Sequence, residues 1–365
     1  MPERLNGADA QTICAAINSG DPLPGTAGFG GAVDDRLLRD VLGRQPVYVD
    51  AASDDWSFDP TDLDNPELLD AGTVVEGDGE RREVWRLPDP AAETDHEAAV
   101  DAVREAVLTS VHEPDSNGLA VAFSGGVDSA IVAAGVPEAP CYVAGFAGAE
   151  SHDVAAAREA AAAMDRDLRV VEFDHDDIVR AVPEIARATG RTNAMDVQIA
   201  LPLYFVAEQA AADGFDRLAV GQGADELFGG YRKVIDPASD HRVAANTVRG
   251  ATREVIQTLP DQLPRDVLTL RAAGVEPVAP LLHDRVVDAA LRLPADLLAT
   301  DAVRKIALRR AAEGVVPESV RVAEKKAVQY GTYAARELDR LARQAGYKRR
   351  KEDHVGQYVE SLLEA

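Results

Sequence analysis

The chain has 365 residues, enough for one large domain or two ordinary ones, and its 63 acidic against 38 basic residues give a formal net charge of −25. A charge of that sign argues against a protein whose main work is gripping nucleic acid, whose phosphates would repel it. The acidic residues are spread along the chain (Asp54, Asp55, Asp62, Asp64, Asp174, Asp176, Asp177) and not gathered in a tail, which suits a halophilic protein kept soluble where salt screens self-repulsion.

Residues 1–90 are rich in Gly, Pro and Asp and carry short strand-like pieces around 45–49, 72–75 and 82–87, which predict a small β-rich unit. Cys14 in this stretch and Cys141 further on are the only cysteines, too few for a disulfide framework or a cysteine-based zinc site. Leu87-Pro88-Asp89-Pro90-Ala91-Ala92 reads as a linker, because two prolines interrupt regular structure. A helix begins near Asp95, with Ala98, Val100, Val103 and Val107 at helical spacing. From Leu119 strands (119–123, 141–146, 168–173, 217–221) alternate with helices (153–164, 176–188, 196–212). This alternation predicts an α/β fold with a parallel sheet flanked by helices, whose ligands sit beyond the C-terminal strand ends. After residue 240 the chain reads as mostly helical, with a charged helix or tail over 346–365. No signal-like N-terminus and no apolar run of spanning length stand out, so the expectation is a cytoplasmic protein without a membrane partner.

The most informative segment is Ser124-Gly125-Gly126-Val127-Asp128-Ser129, set between a strand ending in Ala122-Phe123 and a second apolar run. Paired glycines permit close approach and positive φ. The N–H groups opening the next helix would converge on one spot with the helix dipole behind them, a nest for phosphate. The two serines add hydroxyls. Asp128 makes sense there if Mg²⁺ stands between it and the phosphates. No Gly-Lys-Ser/Thr follows, so this is not a Walker loop. A second glycine-rich turn, Gly221-Gln222-Gly223-Ala224-Asp225-Glu226-Leu227-Phe228-Gly229-Gly230-Tyr231, follows a strand ending in Val220. A parallel sheet would put it on the same rim, with Asp225 as a second Mg²⁺ carboxylate.

The pair SGGVDS and GADELFGGY resembles the synthetase domain of glutamine-hydrolysing asparagine synthetases, a pyrophosphatase-loop family with a Rossmann-like sheet. Over roughly 95–335 weaker likenesses follow in order: Asp153 with its Ala-rich helix, the Gly274–Leu282 segment, Arg304-Lys305-Ile306-Ala307-Leu308-Arg309, and Lys325-Lys326 before Gly331. The resemblance implies ATP and Mg²⁺ as cofactors, a substrate carboxylate (most simply aspartate) adenylated with release of pyrophosphate, and ammonia as the nucleophile that gives the amide. It implies a nucleotide site at Ala122, Phe123, Ser124, Gly125, Gly126, Val127, Asp128, Ser129, Gly145, Val220 and Gly221, and Mg²⁺ on Asp128 and Asp225. The catalytic lysine would be Lys325, with Lys326 as the alternative, and Gln222 would lie beside the ammonia. The domains are then a degenerate glutaminase-like unit (1–90), a synthetase domain (91–345) and the charged end (346–365).

Several residues depart from the family pattern. Residue 2 is Pro2 where the family's glutaminase has its cysteine nucleophile, so hydrolysis of glutamine by this unit is not expected. The ammonia would be free or come from a separate glutaminase subunit; a homodimer is the other protein assembly open to the chain. Gln222 stands where the family has Glu, Val278 where it has Arg, and His283, next to Asp284, where it has Asp. Gln222 can orient ammonia but is a weak base. These changes keep two alternatives open: a ligase for another carboxylate and amine, and a nucleotide-binding homologue without catalysis. A sulfur-transferring RNA enzyme of the same loop class fits neither the charge nor the absence of paired cysteines.

Overall fold

The computed structural model describes residues 4–148, 152–323, 329–348 and 353–363. In chain order the first elements are β1 (Arg4–Asn6), α1 (Ala10–Ser19), β2 (Gly30–Val33), β3 (Arg36–Arg39), β4 (Tyr48–Asp50), β5 (Trp56–Ser57), β6 (Pro66–Leu68), β7 (Thr73–Val75) and β8 (Arg81–Glu83). Then come α2 (His96–His112), β9 (Leu119–Ala122), α3 (Val127–Gly135), β10 (Cys141–Phe146), α4 (His152–Ala163), β11 (Leu168–Phe173), α5 (His175–Thr189), α6 (Ala194–Ala212) and β12 (Arg217–Ala219). The remainder is α7 (Ala224–Leu227), α8 (Arg232–Ile235), α9 (Val248–Ile256), α10 (Leu259–Ala272), β13 (Glu276–Val278), α11 (Asp284–Leu291), α12 (Ala295–Leu298), α13 (Ile306–Ala311), α14 (Glu318–Arg321), α15 (Gln329–Gln344) and α16 (His354–Leu363). The contacts divide this chain into two discontinuous units: 1–114 with 221–264 and 279–315, and 115–220 with 265–278 and 316–365. The change of sequence character at residue 90 is thus not where the contacts divide; the first break falls after Pro114.

The second unit holds the parallel sheet, in the order β11-β10-β9-β12-β13. The register runs Val121↔Cys141 on one side of β9 and Val121↔Ala219 on the other. The strands and helices expected over 119–221 form to within two residues at each end, whereas the strand pieces expected at 45–49 and 82–87 are Tyr48–Asp50 and Arg81–Glu83, and the helix at the end is His354–Leu363. β13 is an addition, because the chain after 240 reads as helical. It is three residues long and carries Pro277, which an edge strand tolerates because one side of its backbone has no ladder partner. The order places the switch of direction between β9 and β12, where open α/β sheets bind ligands. Small side chains let the layers close: Ala157, Ala160 and Ala161 bury one face of α4, while Phe173 stacks on Phe205 of α6 at 4.5 Å.

The first unit combines the antiparallel strands with helices from far along the chain. Its sheets run β1-β2-β3-β7-β8 and β5-β4-β6, around a core of Ala32, Leu37, Val47, Phe58 and Leu69. Asp95 caps α2 by accepting from the N–H groups of Glu97 and Ala98, as expected for a helix starting there. Arg44 ties the unit together. It donates to Asp40 Oδ1 at 2.9 Å, to Asp284 Oδ1 at 2.7 Å and to the Leu282 carbonyl. Asp284 Oδ2 accepts from the backbone of Gly25 and Thr26 and from the Thr26 hydroxyl. All three charged side chains are buried. Burial opposes the charge on Arg44, and the two carboxylates outweigh it, holding its pKa above the ordinary value. Arg39 is buried too but is held by the carbonyls of Gly43, Gln45, Leu69 and Pro260, and burial pushes it down to about 10.

The Leu87–Pro90 segment is strapped down. Arg253 donates to the carbonyls of Leu87 and Pro88, and Arg249 to those of Pro90 and Leu291. Trp85, just before it, is buried with its ring edge-on to Phe29 and its N–H on the Ala16 carbonyl.

Removing Asp284 leaves Arg44 buried with one of its two carboxylate partners. Asp284→Ala should cost about 3–5 kcal/mol, seen as a lower denaturant midpoint with unchanged slope.

Candidate functional site

The loop 124–129 leaves the carboxyl end of β9 at the switch point. Gly125 takes φ +75, and a Cβ there would sit 2.6 Å from the Ala156 carbonyl oxygen of α4. Its close approach is therefore to protein backbone. Gly126 differs: its φ of −82 is ordinary, and a Cβ would meet only Ser124 Oγ, at 3.6 Å. Open space lies in front of it.

Ser129 turns inward. Its hydroxyl donates to the Gly126 carbonyl at 3.2 Å, accepts from the Ser124 N–H at 3.1 Å and lies 3.3 Å from Ser124 Oγ. The sequence suggests a hydroxyl offered to phosphate; the structure commits that buried hydroxyl to closing the loop. Ser124 is exposed. Gly126 is the N-cap of α3, and as a glycine it gives that terminus no side-chain cap. A nine-residue helix whose N-cap is a glycine with no Cβ in front suits an anion, whereas Asp128 in its first turn opposes one unless a cation stands between them. Gly145, near the carboxyl end of β10, and Val220, just past β12, belong to the same rim, as do Ala122, Phe123 and Val127. Val278, at the last position of β13, pairs with Ala219, and its carbonyl accepts from Val220 N–H. The rim therefore carries an apolar group where the resemblance has an arginine.

The chain passes into the other unit at Gly221. There Gly223, at φ +91, opens the short helix α7 that carries Asp225 and Glu226. Lys305 reaches Asp225, Nζ to Oδ1 at 2.7 Å, with its side chain 5% exposed. Lys305 itself sits in the left-handed region, at φ 58, a strain of about 1–3 kcal/mol that the surrounding contacts must hold. Gly230 is required beside the pair, since a Cβ there would collide with Asp225 Oδ1 and Lys305 Cε. Arg304 donates to the Gly230 carbonyl at 2.8 Å. Glu226 is buried, and burial raises its carboxyl pKa against the opposing hydrogen bond from the Tyr231 hydroxyl. Asp225 is thus a carboxylate already facing one cation. Lys305 lies in one of the segments that carry the resemblance, yet it does not stand out there as a site residue, because nothing local in the sequence signals its burial.

Gln222 is half-buried in the turn between β12 and α7. His283 has a structural role. Its ring nitrogen Nδ1 accepts from Arg285 N–H at 3.2 Å, capping α11. It replaces an aspartate with another capping acceptor, and Asp284 beside it belongs to the Arg44 network, so the structure relates neither to an acceptor pocket. Burial and the charge of Arg285 push the His283 pKa down, which favours the neutral ring that the accepting nitrogen requires. Lys325 and Lys326 lie outside the described residues. Cys14 sits inside α1, with its thiol 3.4 Å from Asp34 Oδ2. Cys141 is a core thiol whose pKa burial raises. Among the described residues no three His, Cys, Asp or Glu side chains gather into a metal cage; Mg²⁺ held by phosphates with one or two carboxylates needs none. Also among them, no helix is long and apolar enough to cross a membrane.

A parallel sheet with a glycine-fronted helix N-terminus at its switch point is the arrangement of phosphate-binding α/β proteins. Residues 100–257 and 239–364 match the asparagine synthase family model, and the chain belongs to that family. It is 26% identical over 295 residues to a putative glutamine-hydrolysing asparagine synthetase of Methanocaldococcus jannaschii, covering 72% of this chain and 53% of that protein. It is 24% identical over 314 residues to the glutamine-hydrolysing asparagine synthetase B of Escherichia coli, covering 77% and 56%. The chain thus spans about half the length of these curated relatives. A solved U34-tRNA thiolase from Methanococcus maripaludis aligns over 73% of this chain and 80% of its own at 14% identity, with a TM-score of 0.30 that carries no argument.

Two measurements follow from the loop and the cap. Gly125→Ala should destabilise by about 2 kcal/mol or more through overpacking on α4 and positive φ. Gly126→Ala should hold stability within about 1 kcal/mol and weaken binding of ATP or pyrophosphate in calorimetry. For His283, the folded pKa lies below the unfolded value, so the unfolded state binds more protons between the two. The stabilisation is complete above the unfolded pKa of about 6.5 and fades as pH falls toward the folded one. His283→Asn should remove that part of the loss as pH falls below about 6.5, read as the difference between the two denaturation curves.

Proposed function

We propose that this chain is an ATP-dependent carbon–nitrogen ligase. It adenylates a carboxylate, aspartate by first choice, releases pyrophosphate, and passes ammonia to the activated acyl group to give the amide and AMP. Family membership supports the reaction class, and the single feature of the chain that carries it is the uncapped, glycine-fronted N-terminus of α3 at the switch point.

The residues divide the work. The N–H groups of Val127, Asp128 and Ser129 receive pyrophosphate oxygens, with Ser124, Gly125 and Gly126 shaping the approach. Ala122, Phe123, Gly145, Val220 and Gly221 line the nucleotide. Asp128 and Asp225 would each be carboxylate ligands for Mg²⁺, which would supply Lewis-acid stabilisation of charge on the phosphates. Lys305 holds Asp225 in place. Lys325, or Lys326, meets the charge that gathers on phosphate oxygens as pyrophosphate leaves. Gln222 orients ammonia and accepts no proton at neutral pH, so the excess proton leaves through solvent. Ammonia comes from solution or from a separate glutaminase subunit, because Cys14 lies within a helix. The apolar Val278 at the rim favours a second reading, a ligase of the same chemistry for another carboxylate and amine.

ATP–pyrophosphate exchange tests this with a panel of carboxylic acids, followed by amide formation from ammonium or glutamine. Exchange with aspartate and product from ammonium alone are expected. Asp128→Asn and Asp225→Asn should each lower exchange at least about a hundredfold. Exchange with a different acid moves the conclusion to the second reading. ATP binding without exchange on any acid leaves a non-catalytic homologue.

A further inference from the structure

The first unit contains a cavity of about 240 Å³ that the proposed reaction does not use. It lies under the strapped segment 87–90, between α9 and the region from the end of α11 to α12. Its lining has two halves. Arg249, Arg253 and Asp89 are charged; Ile256, Leu291 and Leu298 are apolar and buried.

Arg249 and Arg253 stand one turn apart on α9, so their side chains project from the same face. Their described hydrogen bonds run through Nη2 of Arg249 and through both Nη atoms of Arg253, to backbone carbonyls. A guanidinium has five N–H donors, which leaves further donors on each for a carboxylate. Asp89 has a largely exposed carboxylate, 3.9 Å from Arg253, placed to meet an ammonium group. The leucines and Ile256 supply a dry wall. The volume lies below that of a drug-sized pocket, about 300–1,000 Å³. We propose that this cavity binds a free α-amino acid with a short aliphatic side chain: carboxylate on the arginines, ammonium at Asp89, side chain against Ile256, Leu291 and Leu298.

The site is connected to the candidate chemistry through α9. The opposite side of that helix, Ala251 and Val255, packs on Val234, with Tyr231 and Val248 against the same cluster. Tyr231 donates to Glu226, the neighbour of Asp225. The cavity and the segment carrying Asp225 are thus packed on opposite sides of one helix. The binding claim does not rest on the ligase reading, because it can be measured without ATP.

The test uses the full chain without nucleotide. Leucine and valine should give a saturable rise in thermal midpoint and a calorimetric isotherm below about 20 mM. Isovalerate, lacking the ammonium, and isoamylamine, lacking the carboxylate, should bind at least about tenfold more weakly. Ala290→Leu, which fills the cavity without touching a charge, should abolish binding. Arg253→Lys, which keeps the charge but loses the fork, should weaken it about tenfold and serves if the filled variant does not fold. Asp128→Asn should bind leucine as the parent does. Absence of saturable binding by either amino acid overturns the proposal. So does binding unchanged in both cavity variants, or binding lost in Asp128→Asn, which would place the amino acid elsewhere.

Discussion

The constraint from which the candidate site grows is the position of β9 inside the sheet. A strand laid first and then flanked by β10 on one side and β12 on the other must have crossovers leaving in opposite directions. That opens a crevice at its carboxyl end, and the chain fills it with a loop of serines and glycines. Ser129 closes the loop on itself, and Gly125 presses it onto the backbone of α4. With the loop so fixed, the N–H groups at the head of α3 are held in place before any ligand arrives, the preorganisation that makes charge stabilisation effective. The alanines along α4 belong to the same device, since a bulky side chain there would lift the helix off Gly125.

The first unit solves a different problem. Its antiparallel sheets are small and many strands are only two to four residues long, too little to stand as an independent core. Stability is gathered from distant parts of the chain through buried arginines. Arg44 couples the β3–β4 connection to the head of α11, Arg39 reaches the Pro260 carbonyl, and Arg253 and Arg249 fasten 87–90 to α9. Buried ion pairs add little net energy over apolar packing but are costly to break. They make the N-terminal strands inseparable from the segments around α9 and α11.

The same unit shows how a departure from a family pattern can be chemically conservative. His283 accepts the hydrogen bond that an aspartate would accept, provided burial keeps it neutral. Val278 is different: at the rim of the other unit it places an apolar side chain where the resemblance expects a cation, and no hydrogen bond among the described residues takes over that role there. Sequence alone ranks the two departures together, and the hydrogen bond separates them.

By itself the sequence determined the elements whose signals are local. Strand and helix alternation over 119–219 is carried by apolar runs and their period, so β9 to β12 and α4 to α6 are where the pattern puts them. The Ser124–Ser129 loop was legible because two glycines between a strand and a helix have few other uses. Tertiary structure decided whatever depends on partners far along the chain. β13 became a strand because Leu218 lies opposite Pro277, against its helical surroundings. The proline-bearing linker became a fastened strap through arginines some 160 residues away. Lys305 became a buried partner of Asp225, and the Ser129 hydroxyl a brace within its own loop, because burial and hydrogen-bond direction are properties of the packed chain, not of any window of its sequence.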